Sequence, residues 1–290
     1  MLHIFTGPTA VGKTAYALEW AERNDAEIVS CDSLLFYKGM DIGTAKPTKQ
    51  DMARVRHHGI DLRDASTQMT IREYVTVAEN AVSDILSRGK KVAVVGGSGF
   101  YLKAFYAPVV DDLEVPMSIS QEVDDLYQRH GLGAIVEKLI LLNTNGLTVD
   151  LKNPRKVLNA LKRCLASGKT CSDLKAAFEN KDFPFKSLNK NTLLFSRSPE
   201  DLKNRVDSRV HQMLKDGLIE EVVALQAEGF EGNPSASMAI GYRETLAWLK
   251  SDKRDKQFLA SEIIQNTNAL IHKQRTWFRH QLPPHQVVVL

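Results

Sequence analysis

The octapeptide GPTAVGKT decides the fold of this 290-residue chain, and it consists of Gly7, Pro8, Thr9, Ala10, Val11, Gly12, Lys13 and Thr14. It matches the pattern G-x-x-x-x-G-K-[ST], in which backbone N–H groups converge on phosphate oxygens, a lysine adds positive charge and a hydroxyl can hold Mg²⁺. We predict an apolar strand over residues 2–5 and a helix over 15–23, so the loop leads into the positive end of a helix. The stretch therefore predicts a site for a diphosphate or triphosphate. It leaves open which compound binds and what happens to it.

The composition is that of an ordinary globular protein. Hydrophobic residues make up 43% and charged residues 25% of the chain, and the net charge of +3 is mild, so composition alone does not indicate a nucleic-acid-binding protein. Membrane spans need about eighteen or more unbroken apolar residues, and we expect none here, nor a signal peptide before the first strand. The three cysteines form no CxxC pair, which favours a reduced, cytoplasmic protein.

Strand and helix patterns alternate over the first hundred residues. A short strand is predicted at 27–31, and a continuous apolar run at 92–95 is typical of a parallel strand that is covered on both faces. Thr70 and Glu73 form a capping box that starts the helix between these strands. This alternation predicts a doubly wound α/β sheet with its ligand at the carboxyl ends of the strands.

The pattern changes near residue 111 and becomes helical. Helices are predicted at 121–130, 134–142 and 153–167, after which a strand returns at 193–195 and a further helical part follows at 201–228. We therefore divide the chain into a first part of the core at 1–112, a helical insertion at 113–190 and a mostly helical C-terminal part of the core at 191–290.

Polar side chains lie where this fold would place its ligand. Asp32 ends the second strand, where a carboxylate can bind Mg²⁺ or accept a proton, although it could also be a helix cap or a turn residue. Ser98 adds a hydroxyl within the glycine-rich loop 96–99. Arg205 and Arg209 lie four residues apart, either as a solvated stripe or as a clamp on phosphate.

Two basic clusters favour RNA binding. Six basic residues and no acidic ones occur between positions 152 and 169, and a second cluster at 272–280 surrounds Trp277 and Phe278. Basic side chains contact phosphates and aromatic rings stack on bases. The alternatives are a solvated helix face for the first cluster and core packing for the two rings.

Together these segments resemble the tRNA dimethylallyltransferase family, also called tRNA isopentenyltransferase, over nearly the whole chain. The matching motifs are GPTAVGKT at 7–14, SCDS at 30–33, YKGMDIGTAKP at 37–47, VGGSGFYLKA at 95–104, NPRKVLNAL at 153–161, NRVDSRVHQML at 204–214, AIGYRE at 239–244 and KQRTWFR at 273–279. The DIGTAKP segment separates this family from kinases and GTPases that share only the phosphate loop.

The resemblance implies a P-loop NTPase-like parallel sheet flanked by helices, with a helical insertion domain that grips the anticodon arm. It implies transfer of a dimethylallyl group from dimethylallyl diphosphate to N6 of the adenine beside the anticodon. Loop residues 7–14 and a Mg²⁺ at Thr14 would hold the diphosphate, Arg209 would close over it, and Asp32 would accept the N6 proton. Ser98 matches a family position, usually Thr, beside the reacting centre. The chain is expected to be a cytoplasmic monomer without membrane contact.

The residues that the resemblance assigns to tRNA binding are Asp32, Ser33, Leu34, Leu35, Arg155, Lys156, Asn159 and Lys273. Several of them depart from the family pattern, which usually has a basic residue and Gln in place of Leu34 and Leu35, and Arg in place of Asn159. Asn268, His272 and Lys273 stand where Arg, Lys and Arg are common. The RNA-facing side therefore has fewer positive charges than the family pattern, whereas the phosphate loop matches the pattern fully.

Three other functions remain open at this stage. An adenylate isopentenyltransferase would prenylate free AMP, ADP or ATP, and Leu34 and Leu35 favour it mildly. A small-molecule P-loop kinase would consume ATP, and a non-enzymatic RNA-binding relative would not need Lys13 or Asp32.

Overall fold

The computed structural model describes residues 1–143, 146–147 and 149–290, and these form two compact units. The first unit comprises Met1–Tyr106 and Pro184–Leu290, and the second is Ala107–Phe183. The second unit therefore begins and ends several residues before the predicted insertion, 113–190. Residues 144, 145 and 148 of that predicted insertion lie outside the described part of the chain.

The elements of the first unit alternate between strand and helix through its N-terminal half and are mostly helical in its C-terminal half. In chain order they are β1 (Leu2–Thr6), α1 (Lys13–Arg23), β2 (Ala26–Ser30), β3 (Tyr37–Lys38), α2 (Lys49–Arg54), β4 (His57–His58), β5 (Arg63–Asp64), α3 (Ile71–Ser87), β6 (Lys91–Gly96) and α4 (Gly99–Lys103). The helices of the second unit are α5 (Met117–Leu141), α6 (Pro154–Ser167) and α7 (Cys171–Glu179). The first unit then continues with β7 (Lys190–Ser196), α8 (Pro199–Asp216), α9 (Leu218–Ala227), a 3₁₀ turn (Phe230–Gly232), α10 (Pro234–Ser237), α11 (Tyr242–Leu249), α12 (Lys256–Gln281) and β8 (Gln286–Val289).

Six parallel strands form the main sheet, in the order β4-β2-β6-β1-β7-β8. Because β6 lies between β1 and β2, the carboxyl ends of these three strands are neighbours. The expected parallel α/β sheet is thus confirmed. The strand β2, which leads to Asp32, is separated from β1 by β6.

Local signals explain the central elements. Val92–Val95 are buried, as a strand covered on both faces requires. In the predicted capping box, the Thr70 hydroxyl accepts the Glu73 N–H and the Glu73 carboxylate accepts the Thr70 N–H, so both start α3. That helix buries one apolar stripe that includes Val75, Ala78 and Val82.

The second unit has its own apolar core, built by all three of its helices. Its fully buried members include Val123, Ile135 and Leu161. The two helices predicted before residue 143 are confirmed as the two halves of α5, which are separated by a kink with non-helical backbone at Gly131. Asn153 caps α6 by accepting the N–H of Lys156, as its position before a proline predicts.

Two features of the C-terminal part differ from the sequence-based picture. The helical part predicted at 201–228 consists of two helices, α8 and α9, because Gly217 between them has a φ of 105° that continues neither helix. The strand β8 was missed, and it pairs with β7 at the edge of the sheet. No helix in the described ranges is both long enough and apolar enough to span a lipid bilayer.

Candidate functional site

Three neighbouring strand ends converge on one site in the first unit. β1 leads into the loop 7–14, β2 leads to Asp32, and β6 leads to Gly97 and Ser98. The Ser33 N–H donates a hydrogen bond to Ser98 Oγ at 3.3 Å, which joins the second and third of these segments. Residues that are distant in sequence therefore meet as the α/β pattern predicted.

The charged end of the site is a small cavity beside the phosphate loop. Its lining includes Lys13, Thr14, Asp32, Thr44 and Arg209. The pKa of Lys13 is lowered to about 8, mainly by burial; the Asp32 carboxylate opposes this shift and the positive charge of Arg209 adds to it. The half-buried Lys13 and Arg209 side chains both interact with the single Asp32 carboxylate, so two cations outnumber one anion and a phosphate group would be stabilised in this cavity.

Both arginines of the predicted pair lie at the phosphate loop. Arg209 Nη2 donates to the carbonyl of Thr44 at 3.2 Å and also lines the small cavity. Arg205, although exposed, donates from Nε to the carbonyl of Ala10 at 2.8 Å. Neither belongs to a purely solvated stripe, and a role as a phosphate clamp stays a prediction.

Two further side chains that the sequence reasoning missed hold the phosphate loop in place. Arg197, directly after β7, donates from Nε to the carbonyl of Val11 at 2.7 Å. Gln274 on α12 accepts the Thr9 N–H at 2.9 Å and donates to the Gly97 carbonyl at 3.1 Å. Gln274 thus connects the loop after β1 to the loop after β6. Its position within KQRTWFR gave no indication of this contact.

A larger cavity of about 580 Å³ opens next to the charged end. Its polar side is lined by Asp32, Ser33, Ser98 and Gln274. Its remaining wall is largely apolar and includes Val206, Val210, Met213, Ile263, Trp277 and Phe278. Asp32 and Arg209 line both cavities, so a ligand with a charged and an apolar part could occupy them together.

The environment of Asp32 distinguishes it from its neighbour Cys31. Burial raises the pKa of Cys31 to about 12, so this thiol stays protonated and is neither a base nor a nucleophile. Asp32 accepts the Leu34 N–H at 3.1 Å, so the turn role considered from the sequence is present. Because the carboxylate also faces both cavities, the turn contact does not exclude a proton-accepting role.

Trp277 and Phe278 have different surroundings. Phe278 is buried, with 2% of its surface exposed, which confirms the core-packing alternative for one of the two rings. Trp277 is half-buried and lines the larger cavity, where its ring packs close to Gly99.

The residues assigned to tRNA binding occur in both units. In the first unit, Ser33, Leu34 and Lys273 line the larger cavity and Leu35 lines the smaller one. In the second unit, Arg155, Lys156 and Asn159 are exposed on α6. Lys162 of the same basic cluster pairs with Asp124 at 2.8 Å, so part of this cluster is neutralised within the unit.

The oxygen atoms around the small cavity suit Mg²⁺. Within the part of the chain that the structure describes, no three His, Cys, Asp or Glu side chains gather as a metal site. Ser30 Oγ is buried without a hydrogen-bond partner among these residues, and it lines the small cavity together with Thr14 and Asp32. Mg²⁺ prefers hard oxygen ligands and commonly binds through few protein groups plus substrate phosphates and water. The donors present fit that mode of binding.

The fold and the site together define an α/β P-loop protein whose phosphate-binding end opens onto a largely apolar cavity. The chain belongs to the IPP transferase family, because the model of that family matches residues 35–281. The phosphate loop itself lies before the matched range.

Similar proteins agree with this assignment over the full length of the chain. A tRNA dimethylallyltransferase of Opitutus terrae is 50% identical over 288 residues, covering 99% of this chain and 92% of the relative. The crystal structure of a full-length tRNA isopentenylpyrophosphate transferase from Bacillus halodurans covers 100% of this chain and 89% of its own, with 27% identity and a TM-score of 0.68. A eukaryotic dimethylallyltransferase, described as acting on tRNA, is 24% identical with a TM-score of 0.81 over 100% of this chain and 73% of its own. This last likeness supports the fold.

Proposed function

We propose that this protein transfers a dimethylallyl group from dimethylallyl diphosphate to N6 of the adenine beside the anticodon of tRNA. The observation that carries the proposal is the position of Asp32 and Arg209, which line both the cationic cavity and the apolar one. The donor has the matching composition, a diphosphate joined to a five-carbon hydrocarbon. The 50%-identical relative from Opitutus terrae is named tRNA dimethylallyltransferase.

The diphosphate would lie at the phosphate loop, between Lys13 and Arg209, with Arg205 at the outer side. Backbone N–H groups at the start of α1 would complete the set of donors. Negative charge grows on the diphosphate as the carbon–oxygen bond breaks. One good donor aimed at that charge lowers the activation free energy by roughly 3 kcal/mol. A Mg²⁺ bound by Thr14, with Ser30 and Asp32 nearby, would add a further positive charge to the leaving diphosphate.

The hydrocarbon part and the adenine would share the larger cavity. The nitrogen lone pair of N6 forms a bond to C1 of the dimethylallyl group, while the bond from C1 to the bridging oxygen breaks and the diphosphate leaves with its electron pair. The N6 proton passes to the Asp32 carboxylate. Because Ser33 and Ser98 adjoin this carboxylate on the polar side of the cavity, we assign them to orienting the adenine.

The adenine must leave its stack to reach the cavity, as bases do in other enzymes that modify them. Lys273 at the larger cavity, together with Arg155, Lys156 and Asn159 on α6, would contact the anticodon arm. These exposed residues can position RNA through its phosphates without reading its sequence. We propose a monomer that acts in the cytoplasm, where its tRNA substrate occurs.

A labelled-donor experiment tests the proposal. Dimethylallyl diphosphate that carries label in its hydrocarbon part is incubated with the protein and with either unmodified tRNA or AMP. We expect label in tRNA and release of diphosphate, and no transfer by the Lys13→Ala variant. Label in AMP alone would favour an adenylate isopentenyltransferase, and consumption of ATP without transfer would favour a kinase.

A further inference from the structure

The loop of residues 41–47, called here the DIGTAKP loop, forms part of the wall of both cavities. Gly43 and Thr44 line the larger cavity, and Thr44, Ala45 and Pro47 line the smaller one. The carbonyl of Thr44 accepts the hydrogen bond from Arg209 described above. The conformation of this loop therefore influences where the guanidinium of Arg209 points.

One carboxylate, that of Glu221 on α9, holds the first half of this loop. Its Oε2 accepts the N–H groups of Asp41 at 3.0 Å and Ile42 at 2.7 Å. Its Oε1 accepts the N–H of Gly43 at 3.1 Å and the hydroxyl of Tyr242 at 2.7 Å. Four donors on two oxygens match the full accepting capacity of an ionised carboxylate.

Tyr242 fixes the same loop from its other side. Its ring is buried and lies against Gly43, where an added Cβ would approach the ring to 2.6 Å, so this position needs glycine. Burial and the negative charge of Glu221 raise the pKa of Tyr242 well above its ordinary value, so the hydroxyl stays protonated and donates.

The second half of the loop is held by a buried lysine. The Lys46 ammonium donates to the Tyr37 carbonyl at 2.9 Å and pairs with Asp41 and Asp61, both at 2.5 Å. Because these contacts hold both halves of the loop, they also hold the Thr44 carbonyl in place beside Arg209. Glu221 itself lines neither cavity, and it can affect the site only through the loop.

We infer that Glu221 is a positioning residue: it sets the DIGTAKP loop so that the Thr44 carbonyl directs Arg209 toward the diphosphate. This inference rests on the proposed function, because it takes the small cavity to be the diphosphate site. A merely structural role would lower the stability of the fold and would act on phosphate affinity independently of Arg209.

Glu221→Gln tests the inference with little change in side-chain size. A glutamine has one accepting oxygen, so its NH₂ group must face either the N–H groups of Asp41 and Ile42 or the N–H of Gly43. At least one N–H loses its acceptor in both orientations. We expect affinity for inorganic pyrophosphate to fall about tenfold, in line with the loss of hydrogen bonds to a charged group.

A double-mutant cycle separates positioning from structure. Pyrophosphate affinity is measured by calorimetry for wild type, E221Q, R209A and the double variant. We expect E221Q to cause no further loss once Arg209 is absent, since coupled residues are not additive. Glu220→Gln, at the exposed neighbouring position on α9, is the matched control and should bind as wild type does.

Tyr242→Phe is carried through the same cycle, so the test still applies if E221Q does not fold. It keeps the buried ring against Gly43 and removes only the hydroxyl that Glu221 accepts. We expect a smaller loss that also disappears in the R209A background. Equal losses with and without Arg209 would overturn the inference, whereas a wild-type protein that fails to bind pyrophosphate would overturn the proposed function as well.

Discussion

Raising the pH should deprotonate Lys13 and lower the affinity of the phosphate loop for diphosphate. Lys13 has a pKa of about 8 in place of the ordinary 10.5, and burial is the main cause. The lysine therefore carries its charge in the free protein below about pH 8 and loses it above that pH. One unit higher, roughly one lysine in ten stays charged, so the apparent affinity for pyrophosphate should fall about tenfold.

Titration calorimetry with pyrophosphate at fixed Mg²⁺, between about pH 7 and 9.5, measures this effect. Pyrophosphate also titrates, so the wild type is compared at each pH with Lys13→Arg, whose guanidinium stays charged throughout. We expect the ratio of the two affinities to fall about tenfold per unit above pH 8, and wild type to take up a proton on binding near pH 9. A ratio that stays constant to pH 9.5 would refute the expectation that a Lys13 of lowered pKa must be charged to bind the diphosphate.

Three further perturbations test other parts of the account. Asp32→Asn should lower single-turnover transfer to tRNA about 100-fold or more without weakening pyrophosphate binding, since general bases contribute on that scale; equal losses in both would contradict the proton-accepting role. Lys156→Ala should weaken tRNA binding and reduce the slope of log affinity against log salt by about 0.7 to 0.9, whereas Lys162→Ala, whose ammonium is already paired, should change the slope less. Glu27→Gln should lower the free energy of unfolding in urea by about 1.5 kcal/mol, because the nearly buried Glu27 carboxylate bonds the Arg88 guanidinium, which is partly exposed and also pairs with Asp84. Arg88 lowers the pKa of Glu27 to about 2, so in wild type this stabilisation should be present at neutral pH and disappear as the pH falls from about 4.5 towards 2; an unchanged urea midpoint for the variant would contradict it.

The parts of the site that could be predicted from sequence are those with local signals. The phosphate loop, Asp32 and Ser98 each follow a strand directly, and parallel strands bring their carboxyl ends to one edge of the sheet. The spacing of Arg205 and Arg209 placed them on one helix, and both side chains bond backbone carbonyls beside the candidate phosphate site, while their role as a clamp stays a prediction.

The parts that were missed depend on contacts between distant segments. Gln274 meets Thr9 across 265 positions and Glu221 meets Asp41 across 180, and neither contact leaves a periodic pattern in the sequence. Charge counts also overstated the exposed basic surface, because Lys162 finds an acidic partner within its own unit. The three valines of β8 favour a strand and Gly217 favours a helix end, so these two signals were available in the sequence.

The central claim concerns the acceptor, and nucleoside mass spectrometry of the reacted tRNA tests it most directly. Unmodified tRNA and AMP are treated together with the protein and dimethylallyl diphosphate, the tRNA is digested with a nuclease of known specificity, and the fragments are mapped. The account predicts one adenosine heavier by a single C₅H₈ unit, located beside the anticodon, with the added group on N6. An unmodified tRNA alongside prenylated AMP, or a C₅H₈ unit elsewhere in the tRNA, would contradict it.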